Sequence, residues 1–236
     1  MQAVLLAGGL GTRLRSVVAD RPKPLADVCG RPFLQYLVLE LKRHGVSDII
    51  MAVGYKGEMI EKYFEDGGKW GISIQYAYED KLLGTAGAVK NTEKILHSPE
   101  FFVINADTFY QAAYEAVIDL YQQKHSSMIL VLRKVPDISR YGSVRTEGCR
   151  VTGFNEKVEE KVPGLINGGI YLMQKEILDR IPKGQKCSLE NEIIPQLLNS
   201  GAEVDCIVNE GYFIDIGIPD DYEQFVSDVK KNKITF

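Results

Sequence analysis

Cysteine and histidine are scarce in this sequence, and their scarcity restricts the chemistry that the chain can perform. The 236 residues include four cysteines and three histidines. Cys29, Cys149, Cys187 and Cys206 lie far apart and form no C-x-x-C pair, so we expect neither a zinc site nor a disulfide framework. The sequence also lacks a G-x-S-x-G motif. We therefore expect no Ser-His or Cys-His nucleophilic catalysis.

Long apolar runs and an excess of positive charge are absent as well. No stretch approaches the roughly 18 consecutive apolar residues that a membrane span requires. The first residues, MQAVLLAGG, lack the basic segment of a secretory signal, so we expect a cytoplasmic protein with no membrane partner. The 28 basic and 32 acidic side chains give a net charge of −4, which disfavours nucleic acid as a partner. Any phosphate chemistry must depend on a few local cations.

Two kinds of apolar segment alternate along the chain. Short runs rich in Val, Ile and Leu are followed by segments of helical period, which is typical of βαβ units. We predict an α/β fold with a doubly wound, mainly parallel sheet, formed by residues 1–236 as a single domain. Residues 141–157 have the period of short strands around a glycine turn, and they predict a small antiparallel insertion over the sheet. The predicted helices span residues 32–44, 58–64, 85–96, 112–124, 188–198 and 220–230.

A glycine-rich loop directly follows the first predicted strand. Three glycines within residues 8–11 let the backbone turn sharply and bring its N–H groups close to an anion. The loop is not a Rossmann fingerprint, because Leu14 stands where that motif needs glycine, and it lacks the Gly-Lys-Ser/Thr of a Walker loop. Arg13 supplies a forked cation, and Lys23, between two prolines, supplies a second positive charge. The sequence therefore predicts a phosphate-binding loop.

Two aspartates are predicted to lie at the ends of strands. Asp107 follows the strand predicted at 101–104, and Asp215 follows a strand that ends near residue 214. Open α/β sheets bind ligands at the carboxyl ends of their strands, and carboxylate oxygens are suitable ligands for Mg²⁺. An aspartate after a strand is also a common turn or capping residue. Spacing alone therefore leaves a metal site and a structural role as alternatives.

An ordered series of motifs resembles the sugar-1-phosphate nucleotidyltransferases over essentially the whole chain. The opening LLAGGLGTRL at 5–14 and RPKPLADVCGRPFLQY at 21–36 are similar to the start of that family. The later motifs are LGTAGAV at 83–89, NADTF at 105–109, YG at 141–142, FNEK at 154–157, NGGIY at 167–171, SLENEIIP at 188–195 and FIDIGIPDDY at 213–222. A series in this order is far more specific than the glycine-rich loop alone.

The resemblance implies a Rossmann-like nucleotidyltransferase fold and a reaction between a nucleoside triphosphate and a sugar 1-phosphate that releases pyrophosphate. Arg13 and Lys23 are then the expected catalytic cations, and Asp107 and Asp215 are the expected ligands of Mg²⁺ as cofactor. The residues implied in nucleotide binding are Leu6, Ala7, Gly8, Gly9, Gly11, Thr12, Arg13, Glu79, Gly84 and Thr85. The residues implied in sugar-phosphate binding are Tyr141, Gly142, Glu156, Lys157, Asn167, Gly168 and Glu190.

The sequence departs from the family pattern at a few places. Many relatives have proline at the position of Ser16, glycine at that of Ala106 and threonine at that of Ile218. Ala106 adds a methyl group next to the expected metal site. The chain also lacks the C-terminal β-helix of longer relatives, so we expect a bare catalytic domain.

The expected nucleotide is GTP, on the basis of an acid before the LGTAG segment. A carboxylate at Glu79 accepts from both N1–H and N2–H₂ of guanine, whereas uracil and thymine present one donor between two acceptors. Asp80 is an alternative contact, and ribose binding or helix capping are alternative roles for Glu79. Within the family, the motifs are most similar to guanylyltransferases that act on a heptose or mannose 1-phosphate. Short uridylyltransferases are the alternative.

Other interpretations stay open for single residues and for the function. Glu190 is equally an acid in the first turn of a capped helix, and Lys157 is equally a solvated charge. A non-catalytic nucleotide-binding module is expected to lack a carboxylate or cation that this sequence retains. A GT-A-like glycosyltransferase normally needs a D-x-D pair, whereas Thr108 and Phe109 follow Asp107. Formation of a homo-oligomer is a further open alternative.

Overall fold

The computed structural model describes residues 1–14, 17–18, 20–155 and 161–234. Its strands are β1 (Gln2–Ala7), β2 (Asp27–Val28), β3 (Arg31–Pro32), β4 (Asp48–Val53), β5 (Ser73–Tyr78), β6 (Glu100–Asn105), β7 (Thr108–Tyr110), β8 (Met128–Val135), β9 (Ser143–Glu147), β10 (Arg150–Asn155), β11 (Gly164–Gln174), β12 (Val204–Val208) and β13 (Phe213–Asp215). Its α-helices are α1 (Phe33–Arg43), α2 (Gly57–Phe64), α3 (Gly84–Asn91), α4 (Tyr114–Lys124), α5 (Ile194–Asn199) and α6 (Pro219–Lys230).

A nine-stranded sheet forms the centre of the molecule, in the order β5-β4-β1-β6-β11-β8-β12-β10-β9. The strands β5, β4, β1 and β6 are parallel neighbours, and β12 is parallel to β8. β1, β4 and β6 are almost entirely buried apolar runs, as expected of parallel strands covered on both faces by helices. The predicted α/β fold is confirmed, but the sheet is mixed instead of mainly parallel, because four of the eight neighbouring pairs in this order are parallel and four are antiparallel. Within the described residues, no helix combines the length and apolar character that crossing a membrane requires.

The antiparallel part of the sheet differs in place from the prediction. β11 lies between β6 and β8 and is antiparallel to both. The hairpin of β9 and β10 joins the outer side of β12, where Arg150 pairs with Asp205. The predicted insertion is present, and it is joined to the sheet by backbone pairs, through β10 to β12 and through β9 to β11, where Ser143 lies opposite Ile166. The physical reason is that an edge strand exposes unpaired backbone groups, which an added strand satisfies.

The helices cover the sheet from two sides because the strand residues alternate between two apolar cores. In β1, Leu5 belongs to the core formed with α1, α2 and α4, whereas Val4 belongs to the core that includes residues of α3 and α5. A third core joins α6 to the small sheet of β7 and β13. In this core, the ring centroid of Phe225 lies 5.0 Å from that of Phe33 and 5.4 Å from that of Phe109.

Two predicted helices have different boundaries in the structure. The helix expected at 188–198 begins with a π-helical turn, Leu189–Ile193, before α5 starts. Helix α3 ends at Asn91 instead of residue 96. The hydroxyl of Thr92 donates to the carbonyl of Val89 at 2.7 Å, and such a side-chain bond competes with continuation of a helix.

A bulge in β11 gives Gly168 a packing role. The register with β8 shifts between Asn167 and Ile170. A Cβ added at Gly168 would lie 2.5 Å from the ring of Tyr110 and 2.8 Å from the carbonyl oxygen of Val131. The Tyr110 hydroxyl donates to two backbone carbonyls, so the ring is held in place. The absence of a side chain at this position lets the bulge pack against the ring.

We expect Gly168→Ala to lower the free energy of unfolding by about 1–3 kcal/mol, because the added methyl group overpacks a rigid site. Urea denaturation measures the change. Gly9→Ala is the matched control, since a Cβ there meets no atom of the described residues within 4 Å, and we expect it to change stability by less than about 0.5 kcal/mol. Equal unfolding free energies of the two variants would contradict this packing role.

Candidate active site

Two adjoining pockets lie beside the glycine-rich loop. The smaller one, the loop pocket, has a volume of about 370 Å³, and the larger one, the main cleft, has a volume of about 1060 Å³. Arg13 and Asp107 line both and therefore stand at their junction. The other predicted nucleotide-binding residues that line the loop pocket are Leu6, Ala7, Gly9, Gly11, Thr12 and Gly84. The predicted sugar-phosphate-binding residues that line the main cleft are Tyr141, Gly142, Asn167 and Glu190.

Gly11 determines the shape of the loop. Its φ of +58° lies in the left-handed region that residues with a side chain rarely adopt. A Cβ at this position would lie 2.9 Å from the Cβ of Lys23. The Leu14 N–H donates to the Gly11 carbonyl at 3.1 Å and closes the short turn that carries Arg13. Gly11 thus lets the loop pack closely against Lys23, and it begins the turn that carries Arg13.

Lys23 is a nearly buried cation between two carboxylates. It begins a 3₁₀ turn with prolines on either side and is 8% exposed. Its Nζ lies 2.7 Å from Oδ2 of Asp107 and 3.6 Å from Oδ1 of Asp215. The structure therefore brings together three of the four residues that were predicted as catalytic or metal-binding. Arg13 is the fourth, and it lines the main cleft together with both aspartates.

The two aspartates come from different sheets. Asp107 follows β6, as predicted, whereas Asp215 ends β13, which pairs with β7 outside the central sheet. Asp215 lies opposite Thr108 in that pair, and the Ile216 N–H donates to the Asp107 carbonyl at 3.0 Å. The expectation that both aspartates follow strands of the open sheet is therefore wrong for Asp215. A local antiparallel ladder places it beside Asp107.

The surroundings of Asp215 oppose its negative charge. Burial raises the pKa of this carboxyl, and the nearby Asp107 raises it further, whereas Lys23, the Gly217 N–H and Arg13 act in the opposite direction. Its Oδ1 is buried and has no hydrogen-bond partner among the described residues. No group of three or more His, Cys, Asp or Glu side chains suited to a metal ion occurs in that part of the chain. The two carboxylates thus form an incomplete set of ligands, and Oδ1 of Asp215 has only the longer ion-pair contact with Lys23 at 3.6 Å.

Glu79 contacts the glycine-rich loop from the side of β5. A Cβ at Gly8 would collide with Oε1 of Glu79, so the carboxylate lies directly against the loop backbone. Its Oε2 accepts a hydrogen bond from the Leu83 N–H at 3.0 Å. Burial raises the pKa of Glu79, and the bond from Leu83 partly offsets this effect. Asp80, the alternative acid, is exposed.

The first turn of α3 is occupied by contacts within the protein. The N–H groups of Ala86 and Gly87 donate to the Cys187 carbonyl at 3.0 and 3.2 Å. The Thr85 hydroxyl donates to Glu190 Oε2 at 2.8 Å and accepts from the Leu189 N–H at 2.8 Å. Of the two residues predicted here for the nucleotide, Gly84 lines the loop pocket, and Thr85 uses its hydroxyl to join α3 to the segment around Glu190.

The residues predicted to bind the sugar phosphate differ in their positions relative to the main cleft. The Asn167 amide and the Glu190 carboxylate are joined by the hydroxyl of buried Tyr171. Gly168 lies against Tyr110, while its neighbour Gly169 lines the cleft. Glu156 and Lys157 lie outside the described residues.

Several residues that line the two pockets were not predicted. Asn105 at the end of β6 and Arg140 line the main cleft, and Lys186 lines the loop pocket. Arg140 donates to the Asp221 carboxylate at 2.5 Å, and this bond raises the pKa of its guanidinium. Its position directly before the YG motif is a signal that sequence analysis can use. Lys186 precedes Cys187 in a loop with no motif of its own, so only the packing of that loop against α3 reveals it.

Comparison with known proteins identifies the family. The profile of the family described as Nucleotidyl transferase matches residues 2–232. A D-glycero-alpha-D-manno-heptose 1-phosphate guanylyltransferase from Campylobacter jejuni is 43% identical over 96% of this chain and 99% of its own length. A mannose-1-phosphate guanylyltransferase from Mycobacterium tuberculosis is 34% identical over 97% of this chain and 64% of its own length. The chain in the crystal structure of HddC from Yersinia pseudotuberculosis complexed with GMP-PN is 34% identical in sequence to this chain. The two structures match with a TM-score of 0.85, and the match covers 97% of this chain and 99% of that one. This chain therefore belongs to the nucleotidyl transferase family, as its motif series predicted.

Proposed function

We propose that the protein is a guanylyltransferase that converts GTP and D-glycero-α-D-manno-heptose 1-phosphate into a GDP-sugar and pyrophosphate. The observation that carries this proposal is the group of Lys23, Asp107 and Asp215 beside two pockets that share Arg13 and Asp107. One pocket is lined by the predicted nucleotide loop, and the other by four of the seven residues predicted to bind the sugar phosphate. The names of the relatives in Campylobacter jejuni and Yersinia pseudotuberculosis support the base and the sugar. Mannose 1-phosphate is the second candidate, supported by the relative in Mycobacterium tuberculosis.

The reaction depends on positioning and charge neutralisation. A phosphate oxygen of the sugar 1-phosphate forms a bond to the α-phosphorus of GTP, and the bond from that phosphorus to the bridging oxygen of the leaving pyrophosphate breaks. Both reactants are anions, so the protein must hold them in line against their repulsion. Arg13 borders both pockets, which supports a role for its guanidinium in binding phosphate oxygens. Lys23 is a fixed cation that can neutralise charge as the bonds change.

Asp107 and Asp215 are the residues that would hold Mg²⁺. This ion is usually bound by one or two carboxylates together with substrate phosphates and water, so a pair of carboxylates is sufficient. The buried Oδ1 of Asp215 accepts no hydrogen bond from the described residues and already faces one cation, Lys23, at 3.6 Å, so its surroundings suit positive charge. When bound there, Mg²⁺ supplies positive charge that stabilises the phosphate oxygens.

Glu79 is the residue proposed to select guanine. Its Oε1 lies over Gly8, next to the loop that lines the smaller pocket. Its Oε2 is held by the Leu83 N–H, which fixes the plane of the carboxylate. A fixed carboxylate accepts hydrogen bonds from guanine N1–H and N2–H₂, whereas it would face a carbonyl oxygen of uracil or thymine.

A substrate panel tests the proposed function. We expect release of pyrophosphate to be fastest with GTP among GTP, ATP, UTP, CTP and dTTP, and faster with heptose 1-phosphate than with mannose 1-phosphate. Values of kcat/KM for each pair measure the preference. A preference for UTP or dTTP would reject the guanylyl assignment, and a preference for mannose would replace the sugar while leaving the base assignment intact.

Two substitutions test the proposed metal ligands. We expect them to lower activity alike but to differ in their effect on stability. Asp107→Asn and Asp215→Asn should each lower kcat by about 100-fold or more, because an amide binds Mg²⁺ poorly against phosphate competition. Asp107→Asn also removes the nearest counter-charge of buried Lys23 and should lower the Tm of the metal-free protein. Asp215→Asn removes a charge that burial opposes and should leave the Tm equal or higher.

Scanning calorimetry without metal and steady-state kinetics with Mg²⁺ measure these changes. Asp119→Asn, at an exposed position of α4, is the matched control. A wild-type rate in either active-site variant would remove that residue from the proposed metal site. A lower Tm for Asp215→Asn would contradict the account of its charge.

The base assignment predicts a selective loss in Glu79→Gln. The amide keeps the shape of the side chain but turns one acceptor into a donor that faces the donors of guanine. Such a mismatch, worth about 1–3 kcal/mol, corresponds to a fall of about 5- to 150-fold in kcat/KM for GTP, with a smaller change for UTP. Asp80→Asn, at the exposed neighbour, should change either value by less than about twofold. An equal loss with GTP and UTP would show that Glu79 does not select the base.

A further inference from the structure

A chain of hydrogen bonds connects the two pockets on the side of α3. Gly84 lines the loop pocket, and Glu190 lines the main cleft. Thr85 lies between them in sequence and space, because it follows Gly84 and its hydroxyl donates to Glu190 Oε2 at 2.8 Å. The two residues are 105 positions apart in the chain. This single bond therefore joins separate parts of the fold at the boundary between the two pockets.

Hydroxyl groups hold the Glu190 carboxylate from both sides. Oε2 accepts from Thr85 at 2.8 Å and from Ser188 at 2.9 Å, and Oε1 accepts from Tyr171 at 2.7 Å. The Tyr171 hydroxyl also accepts from the Asn167 amide, which lines the same cleft. A carboxylate offers about four acceptor sites, so one remains for a hydroxyl of a substrate in the cleft. The direction of that site is determined by the three donors.

The Thr85 hydroxyl uses its proton and one of its two acceptor sites within the protein. Besides donating to Glu190, it accepts from the Leu189 N–H at 2.8 Å. The neighbouring N–H groups of α3 donate to Cys187. The first turn of α3 and residues 187–190 are thus connected by hydrogen bonds of the backbone and of the Thr85 side chain, and only the Thr85 hydroxyl reaches the Glu190 carboxylate among the described bonds of α3.

We propose that Thr85 is a positioning residue that couples binding of the two substrates. A nucleotide in contact with Gly84 fixes the first turn of α3, and the Thr85 hydroxyl then holds Glu190 in the orientation that accepts a sugar hydroxyl. By linkage, a bound sugar phosphate increases the affinity for the nucleotide by the same factor. This inference rests on the proposed function, since it requires both substrates to occupy the two pockets. It assigns the Thr85 hydroxyl to coupling instead of direct contact with the nucleotide.

Calorimetric titrations test the coupling. The affinity of the wild-type protein for heptose 1-phosphate is measured in the presence of Mg²⁺, with and without a GTP analogue that has a methylene group between the α- and β-phosphorus atoms. The affinity for the analogue is then measured with and without the sugar phosphate. We expect each ligand to increase the affinity for the other by about tenfold, within the usual range of such couplings.

Three variants separate coupling from contact. Thr85→Val keeps the shape but removes the hydroxyl, and we expect the coupling factor to fall to less than about twofold with little change in affinity for the analogue alone. Thr85→Ser retains the hydroxyl and should restore the coupling. Thr92→Val removes a buried hydroxyl just after α3, outside both pockets, and should leave the coupling at the wild-type value. If Thr85→Val fails to fold, Thr85→Ala, which requires no additional space, takes its place.

Tyr171→Phe provides an independent comparison. Its hydroxyl holds Glu190 and Asn167 but has no bond to α3. We expect this variant to weaken sugar-phosphate binding several-fold to a similar extent with and without the analogue, so that affinity falls while the coupling persists.

Two results would overturn the proposal. The first is an unchanged coupling factor in Thr85→Val. The second is a loss of affinity for the analogue alone with coupling intact, which would show that Thr85 contacts the nucleotide directly. Failure of the proposed function is a separate result: the wild-type protein would then release no pyrophosphate from any pair in the substrate panel, and the coupling would fall with it.

Discussion

The buried ammonium group of Lys23 is the interaction on which the rest of the site depends. A cation that is 8% exposed needs counter-charges to offset the loss of water. Asp107 supplies one at 2.7 Å and Asp215 a second at 3.6 Å. These carboxylates repel each other and raise the pKa of Asp215. Lys23 therefore offsets the repulsion between the two carboxylates and holds the set of three charged groups together.

The third apolar core keeps this set in place. Asp215 belongs to a strand of only three residues, and such a strand does not hold a charged side chain by itself. The pairing of β13 with β7 brings the two aspartates together, and the ring of Phe225 in α6 packs against Phe109 on β7. Phe33, at the start of α1, packs on the same ring. Apolar packing among α1, α6 and β7 thus holds Asp215 at a position where its negative charge is unfavourable.

Two backbone N–H groups in the first turn of α3 are already used in hydrogen bonds within the protein. A free helix N-terminus is an anion site, but the Cys187 carbonyl accepts from the N–H groups of Ala86 and Gly87. The positive charges of the loop pocket are instead the side chains of Arg13, Lys23 and Lys186. Cationic side chains neutralise a triphosphate more effectively than a helix end that is already capped.

The sequence by itself determined the features that depend on a few neighbouring residues. The turn at Gly11, the two cations that follow it and the aspartate after β6 were all predicted, because backbone conformation and period are local properties. The order of the motifs identified the family. The structure decided which residues meet over long separations: the Asp215 strand pairs with β7, and Thr85 bonds to Glu190 across 105 positions. It also showed that Gly168 packs behind the cleft while Gly169 faces it. Such choices depend on the packing of whole layers, and no local pattern of residues encodes them.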